Sequence, residues 1–386
     1  MLAKLKKRLK GDTIIWSLLG LLSIMSMLAV YSSSGTLAYR YHSGNVGYYI
    51  MKQVIFLLIG FSIVYFAHKV PYQIYSRLSQ ILWYISIPLL LYTLAFGSHI
   101  NDASRWLHVP GTGMTFQTSD LAKLALIMYV ARILSLKQDN IKSFRETFVP
   151  LIIPVIIICG LIMPANLSTA ILLFAVSMIL MFIGRVNFTY IALLGLGIIA
   201  VLVILVAVAL KSNWEGRWET WKNRIVNHFE GGSDDNNYQA DQSKIAIVTG
   251  GLFGKGPGNS TQRNFLPHPY SDFIFAIIIE EYGLLGGMFV VMVYLVLLFR
   301  AGMLVKASDK TFPAFLAIGL ATLLVMQGLV NMAVAVGLIP VTGQPLPMIS
   351  MGGTSILFTA AAIGIILSVS RGLQEEKIKE ETIVEI

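Results

Sequence analysis

The sequence predicts an all-α, polytopic membrane protein of about ten transmembrane helices, and three observations carry that reading. Hydrophobic residues make up 56% of the 386-residue chain and charged residues only 13%, about half the charged share of a soluble globular domain. Apolar runs long enough to cross a hydrocarbon core of ~30 Å recur along the whole length. Backbone groups in lipid must also bond within their own segment, which leaves the helix as the form of each span. The mean hydropathy of +0.72 agrees.

Taken in order, the runs place helices near 13–34, 50–67, 75–96, 118–136, 149–164, 168–184, 188–210, 272–300, 312–336 and 351–370. The first follows a basic start, Met1 to Lys10, yet it is long for a signal peptide and ends in Ser32-Ser33-Ser34-Gly35 without a cleavage motif. Lys and Arg gather at the N-terminus, near 68–77, 137–148, 185 and 300–310, and from Arg371 onward. The short loops on the other side hold little more than Arg40 and Arg105. The positive-inside bias therefore puts both termini in the cytoplasm. It also assigns the net charge of +9 to loops beside anionic lipid, so nucleic acid is not an expected partner. The chain reads as one transmembrane domain, 1–386. It has a large extracytoplasmic loop at 212–271, between helices seven and eight, and an acidic, solvated cytoplasmic tail at 371–386.

In the large loop, Trp214, Trp218 and Trp221 read as interfacial anchors, and 215–229 as a helix lying along the membrane surface. The glycine-rich run Gly250 to Gly258 has neither Walker nor dinucleotide spacing, so a nucleotide site is rejected. A single cysteine, Cys159, excludes a disulfide within the chain. His42, His68, His99, His108, His228 and His268 never fall at a helical metal-ligand spacing.

Ionisable groups within or beside a span are costly, so each is a candidate for function. Asp272 opens the eighth helix, where a helix cap and a general base at the outer surface are both open readings. Asp120 and Lys123 lie three apart on one face of the fourth helix, as a structural pair or a substrate contact. Glu280 and Glu281 lie two to three turns beyond Asp272. In a regular helix they would fall near mid-bilayer, as packing partners or as a proton relay. Arg105, Lys244, Lys255 and Arg263 form an external set of cations suited to a phosphate-bearing lipid. The prolines and glycines from Gly337 to Pro347 preclude a continuous helix and imply a re-entrant, cavity-lining segment.

Asn331 through Arg371, with its core Gly337-Leu-Ile-Pro340-Val-Thr-Gly343-Gln-Pro345-Leu-Pro347 and its sequel Ser350-Met351-Gly352-Gly353-Thr354-Ser355, resembles the C-terminal signature of the SEDS family (shape, elongation, division, sporulation). Three further blocks resemble the family in the right order. They are Ser104-Arg105-Trp106 with Gln117 to Lys123, the glycine-rich Gln242 to Ser260, and Ser271-Asp272-Phe273-Ile274-Phe275-Ala276 with Glu280-Glu281-Tyr282-Gly283. The resemblance covers nearly the whole chain. It implies a peptidoglycan glycosyltransferase that polymerises lipid II into β-1,4-linked glycan at the outer face of the bacterial inner membrane. Asp272 would be the catalytic base. Arg105, Lys123, Arg263, Lys244 and Ser355 would contact substrate, Asp120 would orient Lys123, and Glu280 and Glu281 would support the site. The Gly-x-Gly-x-Ser pattern ahead of Arg263 is similar to division-type rather than elongation-type members, which implies work at the septum. A class B penicillin-binding protein and other divisome membrane proteins are the implied partners. No cofactor is certain, and a divalent cation, Mg or Mn, is the one candidate. Rival readings are an elongation-type polymerase controlling cell shape, a lipid II flippase, which needs broken helices at the midplane and often inverted repeats, and a recruiting scaffold. The chain departs from the family's pattern at Asp120 for Glu, Thr118 for Pro, Asn166 for Asp, His268 for Glu and Met351 for Tyr.

Overall fold

The computed structural model describes residues 10–41, 43–100, 103–108, 115–211, 235–266 and 269–384. Its helices are α1 Thr13–Ser33, α2 Gly35–Tyr41, α3 Val46–Lys69, α4 Tyr72–Phe96, α5 Thr118–Leu136 and α6 Val149–Ile162. They continue with α7 Leu167–Ile183, α8 Phe188–Lys211, α9 Asp235–Gly250, α10 Ile274–Lys306, α11 Thr311–Ala335 and α12 Thr354–Val384. All but α2 and α9 coincide with the ten expected spans. Seven segments are long and apolar enough to cross a membrane by themselves: α1, α3, α4, α6 with the π-type turn before it, α10, α11 and α12. The apolar α7 and the Phe188–Val201 part of α8 are shorter. The last of the ten, α5, carries Asp120, Lys123 and Arg132, and the fold buries it along nearly its whole length against α4 and α11. Enclosure in the bundle is what makes those charges tolerable at membrane depth.

Local sequence explains several helix starts. Asp12 caps α1 by accepting from the Ile14 and Ile15 amides, and Asn166 caps α7 by accepting from Thr169. One end of the bundle is gathered by ion pairs: Arg300 with Asp12 at 2.5 Å, Lys310 with Glu376 at 2.7 Å and Lys10 with Glu375 at 3.0 Å. The residues from Arg371 to Val384, expected as a solvated tail, continue α12 as helix, with Lys377 to Thr382 exposed.

The opposite end departs from a purely helical expectation. Strands β1 Ser98–Ile100, β2 Ala103–His108 and β3 Thr115–Gln117 form an antiparallel sheet in the order β1-β2-β3, with Trp106 opposite Gln117. A connection of this length can satisfy its own backbone by pairing across strands. Within the large loop, α9 packs on α10 and α11 through its buried Ser243 and Ala246. Trp214, Trp218, Trp221, the 215–229 segment and His268 lie outside the described residues.

A chain crossing interrupts α10. Gly283 has φ 72° and ψ −177°, a conformation that breaks the helix and that only glycine adopts readily. The glycine-rich turn crosses there and takes over the freed backbone bonds. Lys255 N donates to Glu280 O and Gly256 N to Glu281 O, both at 2.9 Å, while Leu284 N donates to Gly251 O at 2.9 Å. The approach leaves no room for a side chain: a Cβ on Gly254 would lie 2.2 Å from Glu281 O, and one on Gly283 2.1 Å from Leu252 O.

Candidate functional site

Asp272 and Ser355, two of the residues singled out by sequence, meet at a cleft at the sheet-bearing end, about 270 Å³ in volume. Trp106 and Gln117 from the sheet, Tyr270 to Asp272 ahead of α10, and Met351 and Ser355 from the last connection line it. The connection between α11 and α12 is held open as a loop by positive φ at Gly343, Met348 and Gly353. It grips the Asp272 segment through its own polar groups. Ser350 Oγ donates to Ser271 O at 2.6 Å, and Met351 N donates to Tyr270 O at 2.9 Å. Thr354 Oγ1 ties the same loop to the sheet by donating to Thr115 O at 3.0 Å.

Asp272 sits in the turn before α10, partly exposed to the cleft. Phe273 occupies the cap position of α10, one residue beyond Asp272, and its own side chain makes no cap hydrogen bond. The Asp272 carboxylate accepts the Ser271 hydroxyl at 2.8 Å. Its main chain is fixed by Asn331, whose amide nitrogen donates to Asp272 O at 2.9 Å and to Gln344 O at 2.7 Å.

Behind the cleft wall lies the pair Asp120–Lys123, 2.8 Å apart and buried. Lys123 also donates to Gln327 Oε1 at 3.2 Å, and Gln327 Nε2 donates to Pro345 O at 3.1 Å, so the pair is tied to the cleft's loop. Asp120 Oδ2 is buried and has no hydrogen-bond partner among the described residues. Ser355 lines both the cleft and the small cavity beside this pair.

Of the remaining candidates, Lys244, Arg263, Glu280 and Glu281 separate from the cleft. Arg105 is placed on β2 beside Trp106. Lys244 sits on the exposed face of α9, paired with Asp241 at 3.2 Å. Arg263 donates to Ser32 O at 3.1 Å, in a second polar cluster. There Glu280, fully buried, accepts from Lys255 Nζ and Ser260 Oγ at 2.5 Å and from Thr261 Oγ1 at 2.8 Å, besides the Thr261 and Gln262 amides. Glu281 accepts from the Ser32 hydroxyl and from Ser260 N. The two carboxylates clasp the glycine-rich segment onto α10. Nor are they at mid-bilayer: Glu281 meets the far end of α1, about twenty residues and ~30 Å from Asp12 at 1.5 Å per residue. A proton relay across the bilayer gains nothing from this arrangement.

Among the described residues no cluster of three or more His, Cys, Asp or Glu could hold a metal by itself. A larger cavity, about 600 Å³, opens at the other end beside Asp12 and Arg300, away from Asp272 and the cleft.

With this geometry in place, comparison with known proteins is decisive. The sequence profile of the FtsW/RodA/SpoVE family, described as cell cycle protein, matches residues 12–375. The chain belongs to the FtsW/RodA/SpoVE family. Among curated members, a probable peptidoglycan glycosyltransferase FtsW of Trichlorobacter lovleyi is 33% identical over 368 residues, 94% of each chain. Stage V sporulation protein E of Bacillus subtilis is 32% identical over 374 residues, 95% of this chain and 98% of that one. A solved chain from a peptidoglycan synthase complex, described as coordinating polymerization and crosslinking, superposes with a TM-score of 0.74. It is 24% identical and covers 94% of this chain and 98% of its own.

Two residues that hold this FtsW/RodA/SpoVE member's cleft from behind, Gln327 and Asn331, were not among the candidate site residues. Their signal was present, since both are amides inside an apolar run, where an unsatisfied polar group is expensive. Their targets, the carbonyls of Pro345, Gln344 and Asp272, carry no signal in sequence. Asn166, where the family often has Asp, keeps the capping role because an amide oxygen accepts from Thr169 N as a carboxylate would.

Proposed function

We propose that this chain is a peptidoglycan glycosyltransferase that polymerises lipid II into β-1,4-linked strands for septal wall synthesis. The observation that carries the reading is the placement of Asp272 in a cleft at the membrane's edge, its main chain held by Asn331. Asp272 takes the proton of the acceptor sugar's 4-hydroxyl as that oxygen attacks the donor's anomeric carbon. The carbon–oxygen bond to the α-linked diphosphate breaks with inversion, and the lipid diphosphate leaves with the electron pair. Developing charge on the diphosphate calls for cations. Lys123, held by Asp120 beside Ser355, and Arg105, on the sheet next to Trp106, are the first candidates. Arg263 and Lys244, engaged elsewhere, act on the loop rather than on the leaving group. A Mg or Mn ion would be held chiefly by the substrate's own phosphates, as that class of ion commonly is.

The prenyl tails lie in grooves between helices. The resemblance supports a location in the cytoplasmic membrane at the septum, with both termini inside. It also supports a class B penicillin-binding protein as partner, with further divisome proteins around it. The flippase reading finds one supporting feature, the discontinuity of α10 at Gly283. That break is filled by the glycine-rich segment's backbone, which leaves no open passage at that point.

The test is polymerisation of labelled lipid II by the purified chain with its penicillin-binding partner, comparing wild type with Asp272→Asn. Loss of the base is expected to cut strand formation about 10²- to 10⁴-fold in a variant that remains folded. Equal product from both would remove Asp272 as base. No product from either, with lipid II crossing vesicle membranes, would establish the flippase.

A further inference from the structure

We infer that the turn from Val248 to Phe253 is a wedge inserted among the acyl chains of the leaflet on the cleft side of the membrane. The first observation is a polarity gradient along the exposed side of α9. After Tyr238, 44% exposed and carrying a hydroxyl, it runs through the ion pair Asp241–Lys244 and Ile245, 42% exposed, and ends at Val248, Leu252 and Phe253, which are 79%, 59% and 80% exposed. A helix wholly in water has no reason to gather its exposed apolar residues at one end.

The second observation is depth. Asp12 and Arg300 mark one face of the membrane by their ion pair. From Asp12, α1 rises about twenty residues, ~30 Å at 1.5 Å per residue, to Ser32. Ser32 touches Glu281, which lies about nineteen residues, ~28 Å, from Arg300 along α10. Both rulers put Glu281 at the opposite edge of a hydrocarbon core ~30 Å thick. Gly251 O and Leu252 O accept from Leu284 N and Leu285 N, one turn deeper than Glu281. A third ruler agrees. The 25 residues of α11 span ~37 Å, so its Ala335 end stands ~7 Å beyond the core. Ser243 of α9 donates to Ala335 O, and the seven or eight residues from there to Gly251 descend ~10 Å.

The third observation is continuity. The main chain of Gly251 and Leu252 bonds to that of Leu284 and Leu285, which with Met288 are exposed on a spanning helix and therefore meet lipid. The turn is polarised accordingly: its apolar side chains point outward, while Lys255, Ser260 and Thr261 turn inward onto Glu280. Lipid on one side and the two carboxylates on the other fix the segment that leads on to Asp272. The insertion does not depend on the glycosyltransferase reading, because it rests on the spanning helices alone.

The test uses the full chain in phosphatidylethanolamine/phosphatidylglycerol bilayers, with the buried native thiol removed by Cys159→Ser. A nitroxide is attached to Phe253→Cys, to Lys244→Cys as the aqueous reference and to Met288→Cys as the lipid reference. Collision with oxygen and with a water-soluble nickel chelate is then measured for each. The wedge is expected to give Phe253→Cys the high oxygen and low nickel access of Met288→Cys, a ratio severalfold above that of Lys244→Cys. Nickel access equal to that at Lys244→Cys would place the turn in water and overturn the inference. Low access to both probes would mean a covering of protein, such as a second copy of the chain, and would overturn it equally.

Discussion

At the scale of single residues, the cleft is shaped by amides as much as by charges. Asn331 directs one nitrogen to two carbonyls, those of Asp272 and Gln344, and thereby locks the main chain of the proposed base to the loop across the cleft. Gln327 does the corresponding work between Lys123 and Pro345. Asn331→Ala leaves both of its carbonyl partners short of a donor in a buried setting, at a cost of about 1–3 kcal/mol. A base displaced by about an ångström loses on the order of 10²-fold in rate. The expected outcome is a folded variant whose polymerisation rate falls by roughly that factor while its KM for lipid II changes little. Steady-state kinetics with a parallel thermal unfolding measurement would check it. A large rise in KM with an intact rate would instead put Asn331 on substrate. The Asp120–Lys123 pair was legible from its i,i+3 spacing, because two charges in an apolar run must answer each other. Asn331 and Gln327 answer main-chain carbonyls, whose positions depend on how the chain folds back and so are invisible in sequence.

At the scale of elements, the break in α10 is the feature that organises the site. Composition made the ten long helices legible, since length and apolarity are properties of contiguous residues. It could not reveal α9, which has no apolar run, or the three-stranded sheet, whose strands of three to six residues are too short to show alternation. Nor could it reveal why Glu280 and Glu281 are tolerated. Lys255, Ser260 and Thr261 lie some twenty residues earlier and reach the carboxylates only because Gly254 and Gly283 let two backbones touch. One substitution made twice along this helix separates the cases. Gly302 has nothing within 4 Å of a would-be Cβ, so Gly302→Ala is expected to be neutral or to stabilise by about 0.5–1 kcal/mol. Gly283→Ala places a Cβ 2.1 Å from Leu252 O at a φ of 72°. The left-handed conformation alone costs about 1–2 kcal/mol for an L-residue, and the backbone clash adds to it. Thermal unfolding in detergent should show Gly283→Ala well below wild type and Gly302→Ala at or above it. Equal midpoints would mean that the crossing yields without cost.

At the scale of the whole molecule, the two ends of the bundle are held by different means. The cleft end depends on buried polar contacts reached across long sequence separations. The other end is gathered by ion pairs whose exposure differs sharply, and this decides which of them matters. Lys10–Glu375 and Lys310–Glu376 are largely solvent-exposed, so each contributes about 0–1 kcal/mol. Asp12 is almost fully buried, caps α1 and receives both Nε and Nη2 of Arg300. The cap is worth about 1 kcal/mol, and leaving Arg300 without its partner in a partly desolvated position adds to the loss. A chain ending after Gln374 keeps the contact of that residue with Gly11 and loses the two exposed pairs, the longer Arg371–Glu375 contact and the hydrogen bond from Tyr72 to Glu376. It should therefore unfold at nearly the wild-type temperature and polymerise at nearly the wild-type rate, whereas Asp12→Ala should unfold several degrees lower. Thermal unfolding of the two variants side by side, with strand synthesis measured on each, decides the matter. If the shortened chain were the weaker of the two, the helical continuation of α12, and not the start of α1, would be what holds the ion-paired end together.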